Sequence, residues 1–168
     1  MDYSPFLTTL DTGQVWAFRL TANPSYSAPR GPEVRGKRYG HVTVEQQRRW
    51  LIERTPRYGF ELVPVSGAAA DGAASGDVAA ADSAATSADA DAVAASASVV
   101  VVRRERPVFR RRNPDRDRRD RVTINRTVYE GVARVTDPDA LRRALVAGIG
   151  RSKAYGCGLM TLARVRRG

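Results

Sequence analysis

The sequence predicts an α+β domain: a four-stranded antiparallel sheet with two helices on one face, interrupted by a long disordered insertion. Three observations predict it. Segments rich in Val, Ile, Thr and aromatic residues alternate with two segments of helical period, in the order strand, helix, strand, strand, helix, strand. Residues 66–98 are almost entirely Ala, Ser, Gly and Asp, a composition that cannot bury enough apolar surface to offset its ordering entropy. A chain of 168 residues is then one domain of ordinary size plus that insertion.

The elements follow in order. Val15-Trp16-Ala17-Phe18-Arg19-Leu20 favours a strand and stops at Ala22-Asn23-Pro24, where proline removes a ladder donor. A basic loop with Arg35, Lys37 and Arg38 leads to Thr43, which caps a helix with Gln46 at capping-box spacing. Val44, Gln47, Trp50 and Leu51 share one face of that helix, and Pro56 closes it. Tyr58 to Val65 reads as the second strand, leading directly into the insertion. Val99 to Val102 extends a strand, and Arg103 to Arg121 reads as an exposed loop or hairpin. Arg121 to Val135 is the third strand, with Gly131 at a bulge. Asp137-Pro138 is an N-cap and first helical position, followed by Leu141, Ala144, Leu145 and Gly148 at helical spacing. Leu159 to Val165 is the last strand.

That order is the ferredoxin-like pattern, βαββαβ, used by many RNA-binding modules. The layout by itself assigns no function. No strand carries the Lys/Arg-Gly-aromatic signature that stacks bases on a sheet face, which favours recognition of backbone and stem through loops.

The formal net charge is +10, and the five aspartates of 66–98 leave +15 on the remaining residues. A surface of that sign attracts polyanions, nucleic acid first and an anionic membrane a distant second. No 18-residue apolar run and no signal-peptide pattern is present, so a cytoplasmic protein without membrane attachment is expected. The single cysteine, Cys157, excludes an internal disulfide or a Cys-rich zinc site.

The densest functional signal is Gly148-Ile149-Gly150-Arg151-Ser152-Lys153-Ala154-Tyr155-Gly156-Cys157-Gly158-Leu159. Gly148, Gly150, Gly156 and Gly158 allow a tight turn and close backbone approach, while Arg151, Ser152 and Lys153 carry donors suited to phosphate oxygens. A helix C-cap at Gly148 followed by an ordinary turn describes the same residues equally well. Lys37 and Arg38 are further candidates for backbone contacts. The segment from Arg103 to Arg121 holds ten arginines against four acids. Within it Arg110, Arg111, Arg112, Arg118 and Arg119 could lie along an RNA stem with Phe109 stacking, or form a solvated loop partly neutralised by Asp115, Asp117 and Asp120.

Read together, Gln14 to Pro24 (QVWAFRLTANP), Gly36-Lys37-Arg38, Gln46 to Leu51 (QQRRWL), Tyr129-Glu130-Gly131 and the closing glycine stretch resemble CasE, the CRISPR RNA processing endoribonuclease family of type I-E systems. The resemblance covers nearly all of residues 8–165 outside the insertion. It implies two tandem ferredoxin-like (RAMP-type) domains that bind the stem-loop of the CRISPR repeat and cut at its 3′ base. The implied cleavage needs no metal or other cofactor: the ribose 2′-hydroxyl attacks the adjacent phosphate, leaving a 2′,3′-cyclic phosphate. It also implies partnership with the other subunits of Cascade. On this resemblance residues 14–168 are the second domain and residues 1–13 the end of the first or its linker. The family's catalytic histidine and tyrosine belong to the first domain, and no position here matches them. A misassigned start or a truncated gene is therefore expected.

Acid–base cleavage of RNA usually relies on histidine near neutral pH. His41 is the only one, and its place beside the Thr43 cap reads more simply as solvated helix-flanking structure. Cys157 between two glycines reads as a small residue in a crowded turn. Arg151 and Lys153 could stabilise charge on the cleaved phosphate even with the base supplied from elsewhere. Two other functions fit the residues: a noncatalytic subunit that holds guide RNA, and a ferredoxin-like RNA binder unrelated to CRISPR.

Overall fold

The computed structural model describes residues 3–28, 36–64, 98–113 and 118–165. Its elements are α1 (Ser4–Thr8), β1 (Val15–Ala22), β2 (Ser25–Ala28), β3 (Lys37–Gly40), α2 (Val44–Ile52), β4 (Phe60–Leu62), β5 (Val99–Glu105), β6 (Val108–Asn113), β7 (Arg118–Thr123), β8 (Arg126–Val135), α3 (Pro138–Ala147) and β9 (Met160–Arg164). Strands run in the order β4-β8-β1-β9, all pairings antiparallel, and β5 also pairs with β8. This is the ferredoxin-like sheet, with β1 and β9 where the sequence places the first and last strands, and β8 as the greater part of the expected third.

Period-two alternation puts Phe18, Leu20 and Ala22 of β1 on the inner face, opposite Gly131, Tyr129 and Thr127 of β8. The two helices cover this face, α2 through Trp50 and Leu51 and α3 through Leu141, Ala144 and Leu145. α2 forms because its ends are satisfied: Thr43 Oγ1 accepts from the Gln46 amide and Gln46 Oε1 accepts from the Thr43 amide. α3 starts at Asp137, whose carboxylate accepts from the Ala140 amide at 3.0 Å. On the outer face Arg19 pairs with Glu130 and Arg134 with Glu61, both at cross-strand partner positions.

Residues 3–13 pack onto this domain. Leu10 is fully buried, Phe6 and Leu7 lie against the core, and Arg142 of α3 donates to the Leu7 and Leu10 carbonyls.

Several boundaries differ from the sequence reading. The basic loop after β1 contains the β2–β3 hairpin, in which Tyr26 faces Tyr39 in register and the rings stack at 5.7 Å. Pro56 opens a short 3₁₀ turn, Pro56–Tyr58, and the strand starts only at Phe60 because Gly59 turns the chain in the left-handed region. Gly131 is no bulge: it pairs regularly with Phe18 and Val99, and is glycine because a Cβ there would lie 2.6 Å from the Ser98 carbonyl. The irregularity falls instead between Val101 and Arg103. The stretch from Arg121 to Val135 is two strands, broken where Ile124 dives into the interior and Asn125 turns.

The insertion 66–98 lies outside the described residues apart from Ser98, but its flanks are informative. Val63 donates to the Val132 carbonyl, and Val99 pairs with Gly131, the next position on β8. The insertion therefore interrupts one edge strand, which β4 begins and β5 continues, rather than joining two strands. Loop-closure cost grows only slowly with length, so a long insertion at adjacent ladder positions is tolerated. Arg35, Asp115 and Asp117 lie outside the described residues.

Candidate RNA interface

The glycine stretch leaves α3 and returns to β9 as a closed loop. Gly148 caps α3 through its amide bond to the Ala144 carbonyl, and Ile149 donates to Gly158, which donates in turn to Thr21 of β1. Gly148, Gly150, Gly156 and Gly158 all have positive φ. Two of them are demanded by their surroundings. Gly148 combines φ 76° with ψ 152°, a region open essentially to glycine, and Gly150 sits against the Trp50 ring, where a Cβ would be 3.1 Å from Cη2. The helix C-cap thus accounts for Gly148, and the close approach at Gly150 is to the Trp50 ring.

The amides of Ile149, Tyr155, Gly156, Cys157 and Gly158 all donate to main-chain carbonyls. Those five amides are thereby committed, and the cationic and hydroxyl side chains of Arg151, Ser152 and Lys153 add donors at the middle of the loop. Arg151 and Lys153 are exposed, and Ser152, half-buried at φ 63°, is held by Asn23, whose Nδ2 donates to Ser152 Oγ at 2.8 Å.

Around Arg151 and Lys153 lies a groove of about 600 Å³ between the end of α2, the 3₁₀ turn and the C-terminal half of α3. Arg54, Arg57 and Arg143 also line it, giving five cations around one concavity. Among the described residues, Arg57, Arg143, Arg151 and Lys153 form no ion pair with a carboxylate, in contrast to the paired arginines on the outer sheet face. Arg54 lies 4.8 Å over Trp50 and donates to its carbonyl, so its guanidinium is positioned by the same ring that supports Gly150. Such a concentration of like charge, with low-dielectric walls, focuses a positive potential that suits a polyanion.

A second groove of about 530 Å³ continues from the first through Asn23, Ser25 and Arg151, and adds Arg38, Arg106 and Tyr155. Lys37 sits above the Tyr39 ring at 5.3 Å, beside rather than in this groove. The arginine-rich segment forms the β6–β7 hairpin, with Arg110, Arg111 and Arg112 on β6 exposed. It docks on the glycine loop: Phe109 packs on Tyr155 at 5.0 Å, and Arg111 donates to the Tyr155 hydroxyl. Elements far apart in sequence thus meet at Tyr155.

His41 does not join the cationic groove. It lines a separate pocket, its ring 5.0 Å from Tyr26 and its carbonyl accepting from Gln47 and Asn125. Burial, with a smaller contribution from Arg54, holds the imidazole below its ordinary value, against an opposing pull from Glu53. Cys157 is buried, and burial pushes its thiol up, partly offset by Arg126. A thiol so held is a poor nucleophile at neutral pH. No group of three or more His, Cys, Asp or Glu side chains suited to a metal ion occurs among the described residues. None of their helices is long and apolar enough to cross a membrane.

Sequence reasoning missed Arg54, Arg57, Arg143 and Arg106, and the bracing Asn23 and Asn125. Cations in the last turn of a helix are usually explained by the helix dipole, so only their convergence in space marks them.

The chain is similar to the structure of CRISPR endoribonuclease Cse3 bound to 19 nt RNA, at 25% identity and TM-score 0.60 over 92% of this chain and 57% of that one. It is also similar to a chain of a CRISPR RNA-guided surveillance complex in a pre-nicking state, at 25% identity and TM-score 0.52, covering 98% of this chain and 59% of that one. Thermus thermophilus Cse3 bound to an RNA representing a pre-cleavage complex shares the fold at 22% identity and TM-score 0.56, over 92% and 56%. The chain thus spans less than two thirds of the length of each of these structures. None of the curated proteins matches it significantly. Residues 1–164 match the family model described as CRISPR associated protein, and the chain belongs to that family as a CasE-like member.

Proposed function

We propose that this chain is the RNA-holding part of a CRISPR RNA processing endoribonuclease, gripping the repeat stem-loop along the two joined basic grooves and remaining on the guide RNA within Cascade in the cytoplasm. The observation that carries this reading is the convergence of Arg54, Arg57, Arg143, Arg151 and Lys153 on one concavity. Phosphates of a stem would lie against these cations, with the β6–β7 hairpin presenting Arg110, Arg111 and Arg112 to the same ligand.

In the cleavage reaction the 2′-hydroxyl attacks the adjacent phosphate and the 5′-oxygen leaves, without a metal. Arg151 and Lys153 would stabilise the charge that accumulates on the phosphate oxygens, and Ser152 would add a hydroxyl contact. A general base is a separate requirement. His41, the one histidine of the chain, lines a different pocket from Lys153, which favours a second reading in which this chain binds repeat RNA without cutting it.

The test is incubation of the 168-residue chain with end-labelled cognate repeat RNA in EDTA, read on native and denaturing gels. A retarded hairpin with one cut at its 3′ base supports the endoribonuclease. Retardation without a cut supports the binder, and no preference over an unrelated hairpin would sink both.

A further inference from the structure

The β2–β3 hairpin carries an aromatic pair on the side turned away from the domain. Alternation along its strands puts Tyr26 and Tyr39 on one face and Ser25 and Gly40 on the other. The Gly40 face lies against the body of the domain, since a Cβ there would sit 2.0 Å from Asn125 Nδ2. The tyrosine face therefore points outward, and Tyr26 and Tyr39 are 47% and 40% exposed. Single exposed aromatic residues need no explanation, but two held together beside cations mark a place of contact.

The pair is held in place. The rings stack at 5.7 Å with 27° between their planes, and His41 supports Tyr26 at 5.0 Å. His41 in turn is tied to the domain: its amide donates to the Pro24 carbonyl at 2.9 Å, and its carbonyl accepts from Gln47 and Asn125. A surface fixed in advance loses little freedom when a ligand lands on it. At Tyr39 the Lys37 ammonium stands over the ring at 5.3 Å. Lys37 is exposed and forms no ion pair among the described residues, so this contact is weak and the lysine is free to follow a phosphate.

Position and charge select the ligand. Tyr39 also lines the second basic groove together with Arg38, Arg106 and Arg151, and Val42, 65% exposed, lines it too. Cations that track a backbone beside aromatic rings that take a base are the combination that holds single-stranded nucleic acid. A base inside a duplex has no free face to offer, so the ligand of the rings is an unpaired nucleotide. We infer that the Tyr26–Tyr39 face of the β2–β3 hairpin is a stacking platform for an unpaired nucleotide flanking the stem held in the groove, its base on the Tyr39 ring and its phosphate on Lys37.

The inference rests on the RNA-holding function proposed above, and the experiment separates the two. The probes are the cognate repeat hairpin with single-stranded flanks, each unpaired position replaced in turn by 5-iodouridine, and the same hairpin with blunt ends. Long-wavelength ultraviolet light should crosslink one flank position to Tyr39 or Tyr26, identified by mass spectrometry of the tryptic peptides. Tyr39→Leu should weaken binding of the flanked RNA about tenfold, the worth of one stacked base, while Tyr39→Phe binds as the parent does. Both variants should bind the blunt hairpin with parent affinity, which also shows that they fold. If flanked RNA binds but no position crosslinks to either tyrosine, or if Tyr39→Leu weakens blunt and flanked RNA alike, the platform falls while the RNA-holding function stands. If neither RNA binds the parent chain, both fall.

Discussion

Asn23 Nδ2 donates to Ser152 Oγ at 2.8 Å, and Asn23 Oδ1 accepts from the Asn125 amide at 3.2 Å. One side chain just past β1 thus ties the glycine loop to the turn that begins β8. It also stands behind Ser152, the one described non-glycine residue at positive φ. A backbone in that region is strained for an L-residue and persists only where neighbours determine it. In a double-mutant cycle, Asn23→Ala and Ser152→Ala should each destabilise the chain, with a coupling of about 1 kcal/mol. Repeat RNA should bind Asn23→Ala several-fold more weakly, because Arg151 and Lys153 lose their fixed base. Strictly additive denaturation energies would mean that the bond does not hold the loop.

Gly150 and Gly156 share positive φ but differ in surroundings: a Cβ at Gly150 meets Trp50 at 3.1 and 3.2 Å, whereas one at Gly156 meets nothing within 4 Å. Gly156→Ala should therefore cost about 1 kcal/mol, the conformational penalty alone. Gly150→Ala should cost about 2–3 kcal/mol, because Trp50, packed between Arg54 and Tyr129, has to shift as well. Thermal or urea unfolding of the two variants decides it, and equal losses would contradict the Trp50 contact.

The framework was legible where local chemistry and tertiary packing agree. Thr43 with Gln46 and Asp137 with Pro138 are caps whose partners lie within a few residues, so the starts of α2 and α3 could be read directly. The β2–β3 hairpin was not, because its strands are four residues each and its register rests on Tyr26 meeting Tyr39, a nonlocal pairing. The interruption of a single edge strand was hidden for the same reason: only β8, through Val132 and Gly131, shows that Val63 and Val99 are consecutive. At the candidate site, glycines and cations marked Arg151 and Lys153 in advance. Arg54, Arg57 and Arg143 gained meaning only when α2 and α3 converged on the loop.

Arg151 and Lys153 make no ion pair among the described residues, whereas Arg19 on the opposite face is bound to Glu130 at 2.7 Å. Each cation that neutralises a phosphate releases counterions, and its removal lowers the slope of log affinity against log salt by about one. Replacing Arg151 and Lys153 together with alanine should reduce that slope by about one to two units for repeat RNA, while Arg19→Ala leaves it unchanged. An unaltered slope in the double variant would take the glycine loop out of the interface.

Cys157 is 4% exposed, and its thiol is raised by burial. Alkylation by iodoacetamide at pH 7.5 should be far slower in the folded chain than after denaturation in urea, and bound repeat RNA should not accelerate it. Rapid modification of the native chain would mean that the loop opens away from β1, breaking the Gly158–Thr21 bond.

His41 gives the chain a pH dependence whose sign follows from its surroundings. Burial and Arg54 disfavour the imidazolium, so the folded value lies below the ordinary one of about 6.5. Above that ordinary value both folded and unfolded chains carry a neutral ring, and the contribution to stability is complete. As pH falls through about 6.5 the unfolded chain takes up a proton that the folded chain resists, so stability declines until the depressed folded value is passed. An NMR titration should therefore place His41 below 6.5, and His41→Gln should flatten the loss of stability between about pH 6.5 and 5. A folded-state value at or above 6.5 would reverse the sign and contradict the burial of Nδ1 against the pocket wall.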